Sequence, residues 1–319
     1  MLIAMGSAVS TPANFAAYSF DGGVTFAACT VPDPAGGLFG AAYSESLGYG
    51  IMISAQGEVF RSFDGITWAF LAGENLANRN WQGGVIRNAD DSLFVASSLT
   101  STIFATSPDG ITWTERIGPA GSYGSVIRLS SNGKIVACGS GGIARSLDGG
   151  ITWTSITSPG DTNDDIGVDG DYLHVVGNTS SNAGDTYFSN NFGDTWTKVL
   201  RNGLLNPPNC QACVVDPVNN RVYEGGTAGV DAIYSIGKGV TNNPVTNQWV
   251  LEYPQEVGSG CRGGYIEELD KVIFVDHGGS AGFRTHQLID GVWSTTDWPL
   301  LLPNTARVRL QFLGFNNPL

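Results

Sequence analysis

The 319-residue chain carries 16 basic and 29 acidic residues, a formal net charge of −13, yet only 14% of its residues are charged and 44 are glycine. An acidic surface repels phosphate backbones, which excludes electrostatic binding of nucleic acid. No run reaches the roughly 18 apolar residues that a membrane-spanning helix needs, and the start MLIAMGSAVS has neither the basic region nor the apolar length of a secretory signal.

From the N-terminus, two β-like runs, LIAMGS and FAAYSF, lead into the turn SFDGGVTF (19–26). A second unit follows with four runs: LFGAAYS, YGIMIS, VFRSF and TWAFLAG, the last two joined through SFDGITW (62–68). The third has GGVIRNA, SLFVASS, TIFATS and TWTERI around SPDGITW (107–113). The fourth has SVIRLS, KIVACG, GIARS and TWTSIT around SLDGGITW (146–153), and SNNFGDTW (189–196) marks a fifth. Two degenerate copies, SIGKGVTNNPVTNQW and LIDGVW, end at Trp249 and Trp293.

Aligned on the closing aromatics Phe26, Trp68, Trp113, Trp153, Trp196, Trp249 and Trp293, the steps are 42, 45, 40, 43, 53 and 44 residues. Four short antiparallel strands per period of this length is the pattern of a β-propeller blade. The sequence therefore predicts an all-β fold, one seven-bladed propeller domain over 1–319. The first unit lacks an innermost strand, and one run is left over, RVRLQFLG (307–314), in which Val308, Leu310 and Phe312 alternate with Arg307, Arg309 and Gln311. The expectation is that this C-terminal strand joins the N-terminal blade beside residues 2–6 and closes the ring.

The repeated turn has a physical reading of its own. A short acidic side chain accepts N–H bonds from the turn that it starts. Glycine supplies positive φ without steric cost. The closing aromatic enters the outer strand and fills the space between blades. Asp21, Asp64, Asp109, Asp148 and Asn191, with Trp68, Trp113, Trp153 and Trp196, are thus expected to be structural; an acid catalyst would not tolerate the Asn. If the turn joins third and fourth strands, all copies lie on one face of the disc. A ligand site is then expected on the other face, built from segments that include 30–37, 73–81, 157–165, 201–209 and 276–283.

The pattern S-x-D-x-G-x-T-W over 19–196 resembles the Asp box, or BNR repeat, of the sialidase-like propeller superfamily. That resemblance implies the propeller fold. Its members include sialidases, xyloglucan-cleaving glycosidases, sortilin-type receptors, a photosystem assembly factor and bacteriophage virion proteins, so function must be argued from the site. Sialidases carry an Arg-Ile-Pro motif before the first box, whereas the first arginine here is Arg61. Arg262, Tyr265 and Glu267 in CRGGYIEE, with Arg284 and Arg307, are the right residue types without the spacing.

Other chemistry is sparse. A glycosidase needs two carboxylates facing across a cleft; Asp33, Glu74, Asp161, Asp164, Asp165, Glu256 and Asp276 are available and read as solvated loop acids. DTNDDIGVDGD (161–171) departs from the EF-hand pattern at Ile166 and Tyr172, leaving only a non-standard calcium site from Asp161, Asp164 and Asp165. His174 and His286 sit inside strands and read as packing residues. His277 lies beside Asp276 in a Gly-rich connection and lacks a nucleophile. Cys29, Cys138, Cys210, Cys213 and Cys261 form no disulfide framework. CQAC (210–213) reads as strand, which sends its two thiols to opposite faces. No zinc spacing or phosphate-cradling loop is present, so neither metal nor cofactor is expected.

With four lysines and loops rich in Gly, Asn, Ser and Thr, the chain looks like a component of a bacteriophage virion. The expected role is non-enzymatic: a tail, spike or capsid-decoration protein that works with other virion proteins and contacts host-surface carbohydrate. The expected location is the virion, with the cytoplasm or signal-independent secretion as alternatives. The ligand-face candidates are Trp81, Asp161, Asp164, Asp165, Asp276, His277, Arg262 and Tyr265. A glycoside hydrolase or sialidase-like enzyme, a lectin-like module that presents Trp81 or Trp298, and an assembly factor stay open as alternatives.

Overall fold

The computed structural model describes residues 1–8, 16–71, 76–159, 164–177, 186–200, 209–227, 232–240, 249–253, 262–266, 269–277, 282–289, 291–299 and 305–313. The first blade holds β1 (Leu2–Ala8), β2 (Ala16–Ser19) and β3 (Ala27–Ala28). Blade 2 is β4 (Leu38–Ser44), β5 (Tyr49–Ser54), β6 (Val59–Ser62) and β7 (Ala69–Phe70). Blade 3 is β8 (Gly84–Arg87), β9 (Phe94–Ser97), β10 (Ile103–Ser107) and β11 (Thr114–Ile117). Blade 4 is β12 (Val126–Leu129), β13 (Ile135–Gly139), β14 (Gly142–Ser146) and β15 (Thr154–Ile156). Blade 5 is β16 (Asp165–Asp169), β17 (Tyr172–Val176), β18 (Thr186–Ser189) and β19 (Thr197–Val199). Blade 6 is β20 (Asn209–Asp216), β21 (Arg221–Thr227), β22 (Ala232–Gly237) and β23 (Val250–Tyr253). Blade 7 is β24 (Arg262–Ile266), β25 (Lys271–His277), β26 (Gly282–Ile289) and β27 (Val292–Pro299). The last strand, β28 (Thr305–Phe312), belongs to blade 1.

Every sheet has four strands, paired antiparallel within the blade. Consecutive innermost strands touch around the axis, β28 to β4, β8, β12, β16, β20, β24 and back to β28. The fold is a closed seven-bladed β-propeller. Closure is the one the sequence predicts, with the strand bounds shifted by two residues: β28 pairs with β1 from Leu2↔Phe312 to Gly6↔Val308. The Met1 ammonium donates to Leu313 O at 3.0 Å, and Leu313 N donates to Met1 O at 2.8 Å.

The core is a series of layers between blades, because each sheet buries both faces against its neighbours. Phe26 of blade 1 packs with Phe283 and Trp298 of blade 7. Trp68 is buried with Met1, Ile3 and Met5 between blades 1 and 2. Trp153 of blade 4 stacks on Phe104 of blade 3, with centroids 3.7 Å apart. Trp249 sits with Tyr172 and Phe188, and Trp293 with Tyr223, which continues the scheme into blades 6 and 7. Aromatic burial of this size is a dominant stabilising contribution.

Candidate functional site

The turns between third and fourth strands are built from one set of bonds. In blade 1, Ser19 Oγ donates to Asp21 Oδ1 (2.7 Å), Gly23 N to Ser19 Oγ (2.7 Å), and Thr25 N and Oγ1 to the Asp21 carboxylate (2.9 and 2.5 Å). Blade 4 repeats it: Ser146 Oγ donates to Asp148 (2.8 Å), and Thr152 N and Oγ1 donate to Asp148 (2.9 and 2.6 Å). Asp64 and Asp109 accept two backbone N–H bonds each, from Ile66 and Thr67 and from Ile111 and Thr112. In blade 5 the Asn191 side chain accepts from Thr195 N and donates to Thr195 Oγ1, both at 2.9 Å. The indoles of Trp68, Trp113 and Trp153 donate back to Gly65, Gly110 and Gly150 carbonyls. Partial burial pulls the carboxyls of Asp21, Asp64, Asp109 and Asp148 up, but their hydrogen bonds outweigh it and hold all four below the usual carboxylate range. Gly150 has φ +99°, and a Cβ there would meet Val95 Cγ1 at 2.7 Å, so this corner requires glycine.

A cavity of about 750 Å³ lies on the axis, with Tyr43, Ile127, Arg128, Asp169, Val214 and Tyr265 among its lining residues. These belong to the halves of the innermost strands that run into the first hairpin turn of each blade. First and third strands of a blade are parallel to each other, so the cavity opens on the face that carries the Ser-x-Asp turns. The sequence reading places the ligand site on the opposite face; this axial cavity opens on the turn face.

Its inner wall is an ionic knot that joins four blades. Arg128 Nη2 of blade 4 donates to both oxygens of the fully buried Asp165 of blade 5 (3.1 and 3.3 Å) and to Gly263 O of blade 7 (3.1 Å). Cys213 N of blade 6 donates to Asp165 Oδ2 at 3.2 Å, and Ile166 N to Oδ1 at 2.9 Å. Burial lowers the Arg128 pKa, but the Asp165 charge more than compensates and raises it. Next to the knot, His174 Nε2 lies 2.7 Å from Glu224 Oε1 and Tyr172 Oη 3.1 Å from His174 Nδ1. Cys210 Sγ donates to Glu224 Oε2 at 3.4 Å, and Cys213 Sγ to His174 O at 3.2 Å.

The two CQAC thiols do not diverge. A β-bulge between Cys210 and Ala212 pairs Cys210 with Gly226 and Cys213 with Glu224, so both thiols share one face and pack together with Val176. A regular-strand reading misses the extra residue. The four cysteines among the described residues are buried and free; burial pushes Cys29 up to about 12 and Cys213 well above the ordinary thiol value. Cys261 lies outside the described residues.

The remaining candidates separate. Trp81 is fully buried and its indole donates to Ala77 O at 2.8 Å, so it fills the core between blades 2 and 3 and presents nothing to a ligand. Trp298 packs on Phe26 and Phe283. Asp165 is enclosed by the knot, and Asp164 N donates to Val176 O at 2.9 Å. Arg262 Nη1 donates to Gln211 O at 2.9 Å, and Tyr265 Oη to Asp270 at 2.7 Å. Asp276 and His277 are paired with Arg284 and Phe283 in the β25–β26 ladder; their side chains, like Asp161, Glu74, Glu256 and Glu267, are outside what is described. Among the described residues no group of three His, Cys, Asp or Glu side chains could hold a metal ion. Sequence reasoning missed Arg128 and Glu224. Their one signal is a single charge inside an apolar strand, in SVIRLS and in VYEGG.

No protein-family model matches the sequence, and comparison with curated proteins finds no relative. Solved structures do resemble the chain. An ancestral GH74 enzyme superposes with TM-score 0.64 at 14% identity, over 92% of this chain and 46% of that one. The likeness is one of fold. The chain thus spans about half of that enzyme's length. A Lactobacillus plantarum protein gives TM-score 0.70 at 11% identity, over 98% and 99% of the two chains. A candidate 6-phosphogluconolactonase of Bacteroides uniformis gives 0.65 at 11%, over 97% and 99%.

Proposed function

We propose that the chain is an Asp-box propeller that serves as a non-enzymatic structural and binding protein, a bacteriophage tail, spike or capsid-decoration component that contacts host-surface glycan. The observation that carries the non-enzymatic reading is the pairing of the axial cavity's ionic side chains. Of the ionic residues that line it, Arg128 is spent on the fully buried Asp165 behind the wall, Asp169 on Lys238, and Arg87 on Asp91 at 2.6 Å. Hydrolysis of a glycoside needs two carboxylates, one on each side of the bond, and these carboxylates are each neutralised by their own cation. The Asp-box reading rests on the Ser, Asp, Thr and Trp bonds of the turns. The virion reading rests on the acidic, lysine-poor, Gly- and Asn-rich composition.

The test has two arms. A glycan array with the purified chain, run beside a release assay on the same glycans, is expected to show retention without release; release of sugar from any of them overturns the non-enzymatic reading. Mass spectrometry of purified particles is expected to find the chain at structural abundance, and its absence overturns the virion assignment.

A further inference from the structure

Glycine inside a strand weakens it, and it marks a bulge or a place where a second backbone or a bound molecule comes close. Among the described residues, the innermost strands hold five glycines: Gly40, Gly84, Gly167, Gly263 and Gly264. At four of them a neighbour is the reason. A Cβ would meet Val85 N at 2.4 Å from Gly40, Phe39 O at 3.1 Å from Gly84, Val215 Cγ2 at 2.7 Å from Gly167 and Val214 Cγ2 at 2.4 Å from Gly263. Gly264 is different: a Cβ there meets nothing within 4 Å, and its φ lies outside the left-handed region. β24 also pairs with β25 from Arg262↔Val275 to Ile266↔Lys271 without a register shift. Packing, backbone conformation and a bulge all leave this glycine unexplained. The space beside it belongs to the axial cavity.

That space is bordered by a hydrogen-bond donor. Gly263 O accepts from Arg128 Nη2 at 3.1 Å, so the guanidinium reaches from blade 4 to the Gly263–Gly264 peptide of blade 7. Arg128 lines the same cavity, and its side chain is 25% exposed. Nη2 is taken by Asp165 and Gly263, whereas Nη1 has no hydrogen-bond partner among the described residues. Asp169 brings acceptor oxygens to the lining, and the half-buried Tyr43 and Tyr265 bring aromatic surface. The volume of about 750 Å³ is within the range of roughly 300–1,000 Å³ usual for small-molecule sites.

The charges select the ligand. Arg128 is offset by Asp165, Asp169 by Lys238 and Arg87 by Asp91. An acidic ligand therefore finds no uncompensated cation among these, and the net charge of −13 repels it. A wholly apolar ligand would strip water from the Nη1 donors and return no acceptor. A neutral molecule rich in hydroxyls can serve both donors and acceptors. We propose that the axial cavity binds a neutral sugar, with a pyranose ring over Gly264 and its hydroxyl oxygens accepting from Arg128 Nη1. This rests on the glycan reading above, and it names the site and the class of sugar. Gly264 is retained because a side chain there would stand where the sugar lies.

The test fills the space in the full chain. Gly264→Ala, Gly264→Leu and Gly264→Trp are titrated beside the natural protein against neutral hexose oligosaccharides and against oligosaccharides that carry sialic or uronic acid. The natural chain and Gly264→Ala are expected to retain neutral sugars. The dissociation constant is expected to rise with side-chain volume, at least about tenfold in Gly264→Trp. Because the space is open and the φ ordinary, no variant should melt below the natural chain, and Gly264→Ala should melt slightly above it. Equal affinity in the natural chain and Gly264→Trp overturns this site and leaves the glycan reading standing. A natural chain that retains no sugar overturns both. Retention of acidic sugars alone overturns the neutral class. Loss of the cooperative melt in Gly264→Leu or Gly264→Trp shows that the protein itself needs the space, and it also overturns the proposal.

Discussion

Blades 1 to 5 and blades 6 and 7 hold the same architecture by different means. In the first group each corner before the outer strand is tied by a Ser, an Asp or Asn, and a Thr within seven or eight residues, and the outer strands have two to four residues. In the second group the sequence lacks that Ser-x-Asp motif and most ladders lengthen: β20, β21 and β22 have eight, seven and six residues, and β25, β26 and β27 seven, eight and eight. The difference teaches that a blade can be fixed locally, by a hydrogen-bonded corner, or along its length, by strand pairing. Local ties are economical in sequence and leave blunt edges. Long ladders need no such motif.

The largest expected effect comes from the place where the two groups are joined. β28 supplies blade 1 with its innermost strand and contacts β24 and β25 of blade 7. Removing 305–319 opens the ring and exposes β1 along its whole length. The truncated chain is expected to lose its cooperative melting transition. A truncation that melts as a sharp monomeric transition would mean that blades 1 to 5 hold together without closure.

The knot at the axis ties the groups together from inside. Arg128→Met leaves Asp165 fully buried without its cation, and removing one partner of such a pair costs about 3–5 kcal/mol. In Arg128→Met/Asp165→Asn the side chain at 165 no longer carries a charge but still accepts from Ile166 N, and roughly half of that loss is expected to return. Urea denaturation of the two variants measures both. Equal stability of single and double variants would mean that Arg128 acts by packing alone.

How much of this was legible follows the same division. The blades could be counted because each turn is a local pattern, and SLDGGITW carries its Ser, Asp, Gly, Thr and Trp within one corner. The closing strand was legible because RVRLQF alternates with period two and had no other place to go. The knot was not, because Arg128 meets Asp165 from 37 residues away and Gly263 from 135. The paired thiols of Cys210 and Cys213 were hidden by a bulge, which shifts faces without a sequence mark at Gln211. Trp81 was misplaced because a polar segment, GENLANRN, precedes a residue that the fold drives fully inside. The axial cavity was not legible for a similar reason: the turns give the side of the disc they occupy, but the cavity is shaped by strands that come from every blade.

The smallest effect compares two corners that differ by one functional group, Asp148 in blade 4 and Asn191 in blade 5. Both tie a Ser and a Thr, with distances within 0.1 Å for the backbone bond from Thr152 or Thr195. Only Asp148 titrates. Burial pulls its carboxyl up, the Thr152 and Ser146 bonds outweigh that, and its folded pKa lies below the ordinary value. A carboxyl depressed on folding stabilises fully above its unfolded pKa of about 3.9, and that contribution disappears as pH falls through the folded value. Asp148→Asn should therefore cost up to about 1 kcal/mol at pH 7, because the site is exposed to solvent and the charge is screened. At pH 2 the variant and the natural chain should melt together. Differential scanning calorimetry from pH 7 to pH 2 would trace the convergence. A gap that stays constant with pH would mean that the corner is held by shape, as at Phe192, whose φ of 52° takes the place of the first turn glycine in blade 5, and that the carboxylate charge contributes nothing there.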